Sequence, residues 1–291
     1  MALGDRPNHT MSTRLRRAIS RHAPSLPLYP DDSSLPASVG QRALAERPIV
    51  HMILTMTILG LGAAYWLMLD GWVMVAFDYD RLGYVTAAGR WLDGGSPYLA
   101  ADVAGAVDYS RWTYLHPPLA LLLFVPFTVL PTWVWYAIPI AILGWSIVVW
   151  RPASWAWPLL AACALWPRST AGVIVGNTDM WVAMFVTLGL RFGWPFALIA
   201  IKPSFAPLLL GGVRDRRWWV AVGVLAVASL PFGSLWLEWL RVVDNTPADP
   251  LYSVLGLPLV LGLPLVAWYA STTRGRVEGP LRSLGSLGRR S

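Results

Sequence analysis

Apolar positions in this chain gather into long blocks, and polar positions fill the gaps between them. The blocks cover residues 50–70, 117–131, 133–150, 153–167, 171–190, 194–212, 218–238 and 251–270. A helix needs about 20 mostly apolar residues to cross roughly 30 Å of hydrocarbon. The pattern therefore predicts an all-α, polytopic transmembrane helix bundle of about eight spans. The blocks at 117–131 and 153–167 are short, which fits tilted, re-entrant or partial spans. Continuous apolar runs lack the strict alternation of a membrane β-barrel.

Composition sharpens this reading. The chain has 291 residues, of which 56% are hydrophobic and only 13% charged. Soluble domains carry nearer a quarter charged residues, so the class is integral membrane. Residues 1–48 mix Arg, Ser, Pro and Asp without sustained periodicity and read as a disordered, basic cytoplasmic tail. Residues 49–271 form the membrane domain, with an outer loop at 71–116, and 272–291 form a second basic cytoplasmic tail.

Arginine placement orients the bundle. Arg14, Arg16, Arg17, Arg21, Arg42 and Arg47 precede the first block; Arg214, Arg216 and Arg217 follow the sixth; Arg274, Arg276, Arg282, Arg289 and Arg290 close the chain. With eight spans these three regions share one face, which the positive-inside rule makes cytoplasmic. The expected location is the plasma membrane, multi-pass, with both termini cytoplasmic. A net charge of +7 suits anionic membrane lipids. No recognition element accompanies it, so no nucleic-acid partner is expected. The lone Cys163 offers neither a disulfide nor a metal cluster, and no metal or other cofactor is expected.

Between the first two blocks lies a polar island, FDYDRLGYVTAAGRWLDGGSPY, followed by YLHPPLALLLFVP. Charges in hydrocarbon are costly, so chemistry collects where water reaches. Asp78 and Asp80 open this island. Either can act as a general base on a hydroxyl once its pKa is tuned, or cap the helix that VTAAGRWL suggests. The Asp-Tyr-Asp spacing also imitates a metal-binding carboxylate pair, with no third ligand beside it. GGSPY at 94–98 reads as a turn. Tyr109, Trp112 and Tyr114 are interfacial belt aromatics or sugar-stacking surfaces. His116, ahead of Pro117-Pro118, is either an ordinary hydrogen-bonded histidine or a donor to phosphate.

Lys202 is the only lysine in the chain and falls near the middle of a predicted span. A mid-membrane cation needs a partner. Asp179, on the preceding span, offers a structural ion pair; a lipid phosphate offers a functional one. Asn177 adds an intramembrane polar group that either bonds between helices or completes a polar cluster around Lys202.

In this order the segments DYDRLGYVTAAGRWLDGGSPY, YLHPPLALLLFVP, VGNTDM and AIKPSFAPLLL resemble the polyprenol-phosphate-mannose-dependent α-mannosyltransferases of glycosyltransferase family 87, over about residues 50–212. Where that family usually has Gly-Gln-x-Asn, this chain reads Gly-Asn-Thr-Asp. The resemblance implies a GT-C membrane fold. It also implies transfer of mannose, with inversion, from a polyprenyl-phosphate donor to a glycolipid or glycan acceptor hydroxyl on the outer face. The family's catalytic Asp falls on Asp80, with Asp78 as second choice. The implied donor or phosphate-binding residues are Lys202, His116, Arg81 and Arg90. The implied substrate-binding residues are Tyr84, Tyr98, Tyr114, Asn177 and Asp179. Two other classes stay open on the same residues: a transporter or flippase of a lipid-linked substrate, with Asp179 and Lys202 on the path, and a non-catalytic accessory membrane protein with the same fold.

Overall fold

The structure, a computed structural model, describes residues 47–273 apart from 70, 72, 74–75, 109–110 and 247–258. The predicted tails at 1–46 and 274–291, and Tyr109, lie outside the described residues. Every regular element among the described residues is a helix. In chain order they are α1 (Pro48–Met68), α2 (Tyr79–Leu92), α3 (Ala100–Ala104), α4 (Leu121–Phe124), α5 (Thr132–Trp150), α6 (Ala156–Leu165), α7 (Pro167–Ile174), α8 (Asp179–Phe192), α9 (Ala206–Leu209), α10 (Arg216–Ser229), α11 (Leu235–Asp244) and α12 (262–273), with 3-10 turns between several of them.

Two of these, α1 and α5, are long and apolar enough to cross a membrane. They match the first and third apolar blocks. Their outward faces carry Leu61, Leu67, Trp133 and Val148, all exposed, as lipid-facing helices do. The α7–α8 and α10–α11 pairs also qualify if each bent pair is one span, with bends of 107° and 94°. Among the described residues the count by length and composition is thus two to four, where the block pattern predicts eight and the first part of its 251–270 block lies outside them. The 194–212 block accounts for part of the difference: it folds as the 3-10 stretch Trp194–Ile201, a second at Pro203–Phe205, then α9, not as one α-helix. Pro195, Pro203 and Pro207 each remove a backbone donor, so this run cannot sustain an unbroken α-helical ladder. The 153–167 block yields only the ten-residue α6, and 117–131 yields short turns around α4.

The core is centred on α8. Ten of its fourteen residues are buried, from Asp179 to Gly189. Phe196 packs against Gly189 so closely that a Cβ there would come within 2.6 Å of its ring, which brings the 194–201 segment onto α8. On the other side Trp135 of α5 and Trp181 of α8 lie 5.0 Å apart, and Phe124, Phe127 and Tyr84 complete an aromatic cluster. Such pairs add about 0.5–1.5 kcal/mol each beyond area burial. This cluster joins the polar island to the helix carrying Asp179.

Candidate functional site

The site begins where α2 meets the break between α7 and α8. The Asp78 and Asp80 amides donate to the carbonyls of Ile174 and Val175 over 2.9 and 2.7 Å. These carbonyls are freed because the helix stops after Ile174, so the chain break supplies acceptors for the start of the next element. Gly176 turns the chain with φ +74°, and a Cβ there would meet Arg81 at 2.8 Å and the Tyr136 hydroxyl at 2.9 Å. Only glycine meets both the positive φ and the close approach. Trp135 Nε1 donates to the Gly176 carbonyl over 3.0 Å, holding the turn from α5.

The two aspartates of the island have separate jobs. Asp78 sits at φ +65° and is buried. Arg81 grips it through Nε (2.7 and 2.9 Å) and Nη2 (2.6 Å), and the Tyr136 hydroxyl donates to its Oδ1 over 2.9 Å. Arg81 Nη2 also donates to Thr132 Oγ1. This is a closed structural clasp, and Asp78 precedes α2 without capping it through its side chain. The clasp leaves neither Asp78 for base chemistry nor Arg81 for phosphate.

Asp80 faces a different way. Its Oδ2 accepts from Asn177 Nδ2 over 2.6 Å, and no other hydrogen bond reaches its carboxylate among the described residues. Burial pushes its carboxyl up from the ordinary value, against the Asn177 hydrogen bond and the positive charges of Lys202 and Arg168. The result is a half-buried acid with one oxygen held and one free, the form expected of a general base.

Asn177 carries the link onward. Its Oδ1 accepts from Lys202 Nζ over 2.8 Å and from the Asp179 amide over 3.1 Å. Lys202 also forms an ion pair with Asp179 and lies 5.3 Å from the centre of the Phe205 ring. The 3-10 stretch ending at Ile201 is what turns Lys202 inward. Asp80, Asn177, Asp179 and Lys202, all expected from the sequence, thus form one connected network.

Of the remaining expected residues, Tyr84, Tyr98, Tyr114 and His116 are buried and Arg90 is half-buried. The Tyr98 hydroxyl donates to the His116 carbonyl over 2.9 Å, and the Tyr114 hydroxyl donates to the Pro117 carbonyl over 3.2 Å. Tyr84 is buried and stacked on Phe124. All three tyrosines brace the loop from within; they are not stacking surfaces. Burial raises the phenols of Tyr84, Tyr98 and Tyr114. His116 is buried beside Tyr84, with Nδ1 3.3 Å from the Ile201 carbonyl. Burial and the neighbouring Lys202 push its pKa down to about 3, so it is neutral near pH 7 and supplies no charge for a phosphate. Arg90 lies ten residues along α2 from Asp80, roughly 15 Å of helix rise, where it donates to the Pro97 carbonyl.

Two contributors escape the sequence reading: Tyr136 and Arg168. Tyr136 is an ordinary residue within an apolar block and gives no signal alone. Arg168 stands in the short gap at 168–170, which an eight-span topology places on the membrane face opposite Asp80. The structure instead ends α7 after eight residues, about 12 Å of rise. Arg168 therefore stays near Asp80, close enough for its charge to act on that carboxylate. An arginine closely preceding a Gly-Asn-x-Asp turn is the signal that would have found it. Among the described residues no three His, Cys, Asp or Glu side chains converge as a metal site requires.

No protein-family model matches the chain, and neither a curated protein nor a solved structure matches it.

Proposed function

We propose that this chain is an integral-membrane glycosyltransferase that moves a sugar, mannose by the resemblance above, from a polyprenyl-phosphate donor to an acceptor hydroxyl. The observation that carries the reading is the division of labour between Asp78 and Asp80: one acid is sealed in a clasp, the other is held by a single oxygen with its carboxyl pushed up by burial. In the reaction the acceptor oxygen attacks the anomeric carbon and the bond from that carbon to the phosphate oxygen breaks. The hydroxyl proton passes to Asp80, and the phosphate keeps the electron pair. A phosphate leaving group needs charge stabilisation more than protonation. The GT-C architecture, the plasma-membrane location and the outward-facing site belong to this proposal.

The test is transfer of radiolabelled mannose from polyprenyl-phosphate-mannose to membrane lipid extract, with wild type against Asp80→Asn. Label should move with wild type and fall to background with the variant. No transfer by folded wild type across several acceptor extracts and lipid-linked sugars would overturn the reading.

One observation favours a second reading. The α7–α8 break places Asn177 and Asp179 at an interrupted helix, the kind of element that binds substrate in secondary transporters. Movement of a fluorescent lipid-linked sugar across proteoliposomes, insensitive to Asp80→Asn, would support transport over transfer.

A further inference from the structure

An anionic group arriving at Asp80 has to find a cation whose hydrogen-bond donors are not already spent. Lys202 is neutralised by Asp179 and also donates to Asn177. Arg81 is committed to Asp78 and Thr132. Arg90 is engaged with Pro97 some way along α2, and His116 is sealed among Tyr84, Tyr114 and Phe124. Arg168 shares with Arg90 a buried Nε that has no hydrogen-bond partner, but Arg90 is held at Nη2 by Pro97, whereas neither a hydrogen bond nor an ion pair reaches the Arg168 guanidinium among the described residues.

Arg168 stands about one turn from the network along α7. Arg168 lies four residues before Gly172, and so on the same face of α7. At Gly172 that face is 3.6 Å from Asp179 Oδ2 and 3.8 Å from Asn177 Cβ, measured from where a Cβ would sit. A guanidinium presents five N–H groups in a planar fork that matches two phosphate oxygens. Leaving such a group half-buried and unpaired is costly unless something binds it.

We propose that Arg168 is the phosphate-binding residue of this site, its guanidinium holding the phosphate ester while Lys202 positions Asn177 and Asp179. This rests on the glycosyltransferase reading and deepens it, since it assigns the leaving group's cation to a residue outside the motifs that carry the resemblance.

The test uses the full chain in lipid nanodiscs and measures equilibrium binding of three probes: a polyprenyl phosphate, the matching polyprenol and inorganic phosphate. Wild type should bind the polyprenyl phosphate more tightly than the polyprenol. Arg168→Gln should lose about tenfold to a hundredfold of affinity for the phosphate form, the worth of a charge-assisted pair, and nothing for the polyprenol. Arg168→Lys should keep part of the preference, and Arg90→Gln all of it. Arg168-dependent binding confined to the lipid supports a lipid headgroup as the source; the same dependence with inorganic phosphate supports a free phosphate. Wild-type preference retained in both Arg168 variants overturns the inference and leaves the transferase reading standing. Wild type indifferent to phosphate in every probe also overturns it. Arg168-dependent binding without sugar transfer sinks the transferase reading alone.

Discussion

Asn177 holds Asp80 through Nδ2 at 2.6 Å and presents its Oδ1 to Lys202 at 2.8 Å. One amide therefore orients the free acid and ties it to the Lys202–Asp179 pair. The donated hydrogen bond favours the ionised carboxylate and works against the upward push of burial. Asn177→Ala should then raise the Asp80 pKa further. A base must be deprotonated to act, so the acid limb of the pH–rate profile for kcat/KM should move to higher pH, with activity lost first at the low-pH end. An acid limb that stays in place or moves down would show that Asn177 does not govern Asp80.

Asp78→Asn and Asp80→Asn should fail in different assays. Asp80→Asn keeps the shape and the Asn177 contact region, so thermal unfolding should stay near wild type while transfer falls by about a hundredfold to ten-thousandfold, the usual worth of a general base. Asp78→Asn leaves the buried Arg81 charge without its partner, which should cost about 3 kcal/mol in stability. Purified yield and thermal unfolding should report that loss before turnover does. The opposite pattern would exchange the roles of the two acids.

The parts of this site that were legible in the sequence are those where composition forbids a polar residue without a reason. Lys202, Asp179 and Asn177 stand out because they interrupt apolar blocks, and the structure joins them. Asp78 and Asp80 were visible as a pair but not as a division of labour, because the choice depends on Arg81 and Tyr136, one local and one fifty-six residues beyond Asp80. The tyrosines misled: a Tyr in a polar loop carries the same letter whether its ring faces solvent or fills a core. The fold was legible in class, as an all-helical chain with candidate membrane spans, and less so in where the helices break. Apolar length measures what a segment can cover, whereas the prolines of 194–212 and the turn at Gly176 decide whether it runs straight.

The Lys202–Asp179 pair should behave as a buried ion pair in a double-mutant cycle. Asp179 is buried and Lys202 nearly so. Lys202→Met alone leaves an uncompensated carboxylate and should destabilise by about 3 kcal/mol. Adding Asp179→Leu removes the orphaned charge, and the double variant should regain most of that loss. Chemical denaturation of the four proteins in one detergent measures this coupling. Additive single effects would show that the two side chains do not depend on each other.

His116 makes the last prediction, about stability against pH. Its ordinary pKa of 6.5 falls to about 3 in the folded protein through burial and the charge of Lys202, against the Ile201 carbonyl contact and Asp179. The unfolded chain therefore takes up a proton at His116 through the window from 6.5 down to about 3 while the folded chain does not. Stability from this group is full above pH 6.5 and drains as pH falls, by about 1.4 kcal/mol per pH unit when one proton separates the two states. His116→Asn should flatten the pH 6.5 to 4.5 part of the stability curve relative to wild type, even where the variant is less stable overall. Because the ring is neutral near pH 7, the same substitution should leave the salt dependence of polyprenyl-phosphate binding unchanged. A variant curve parallel to wild type across that window would mean that His116 is protonated within the fold.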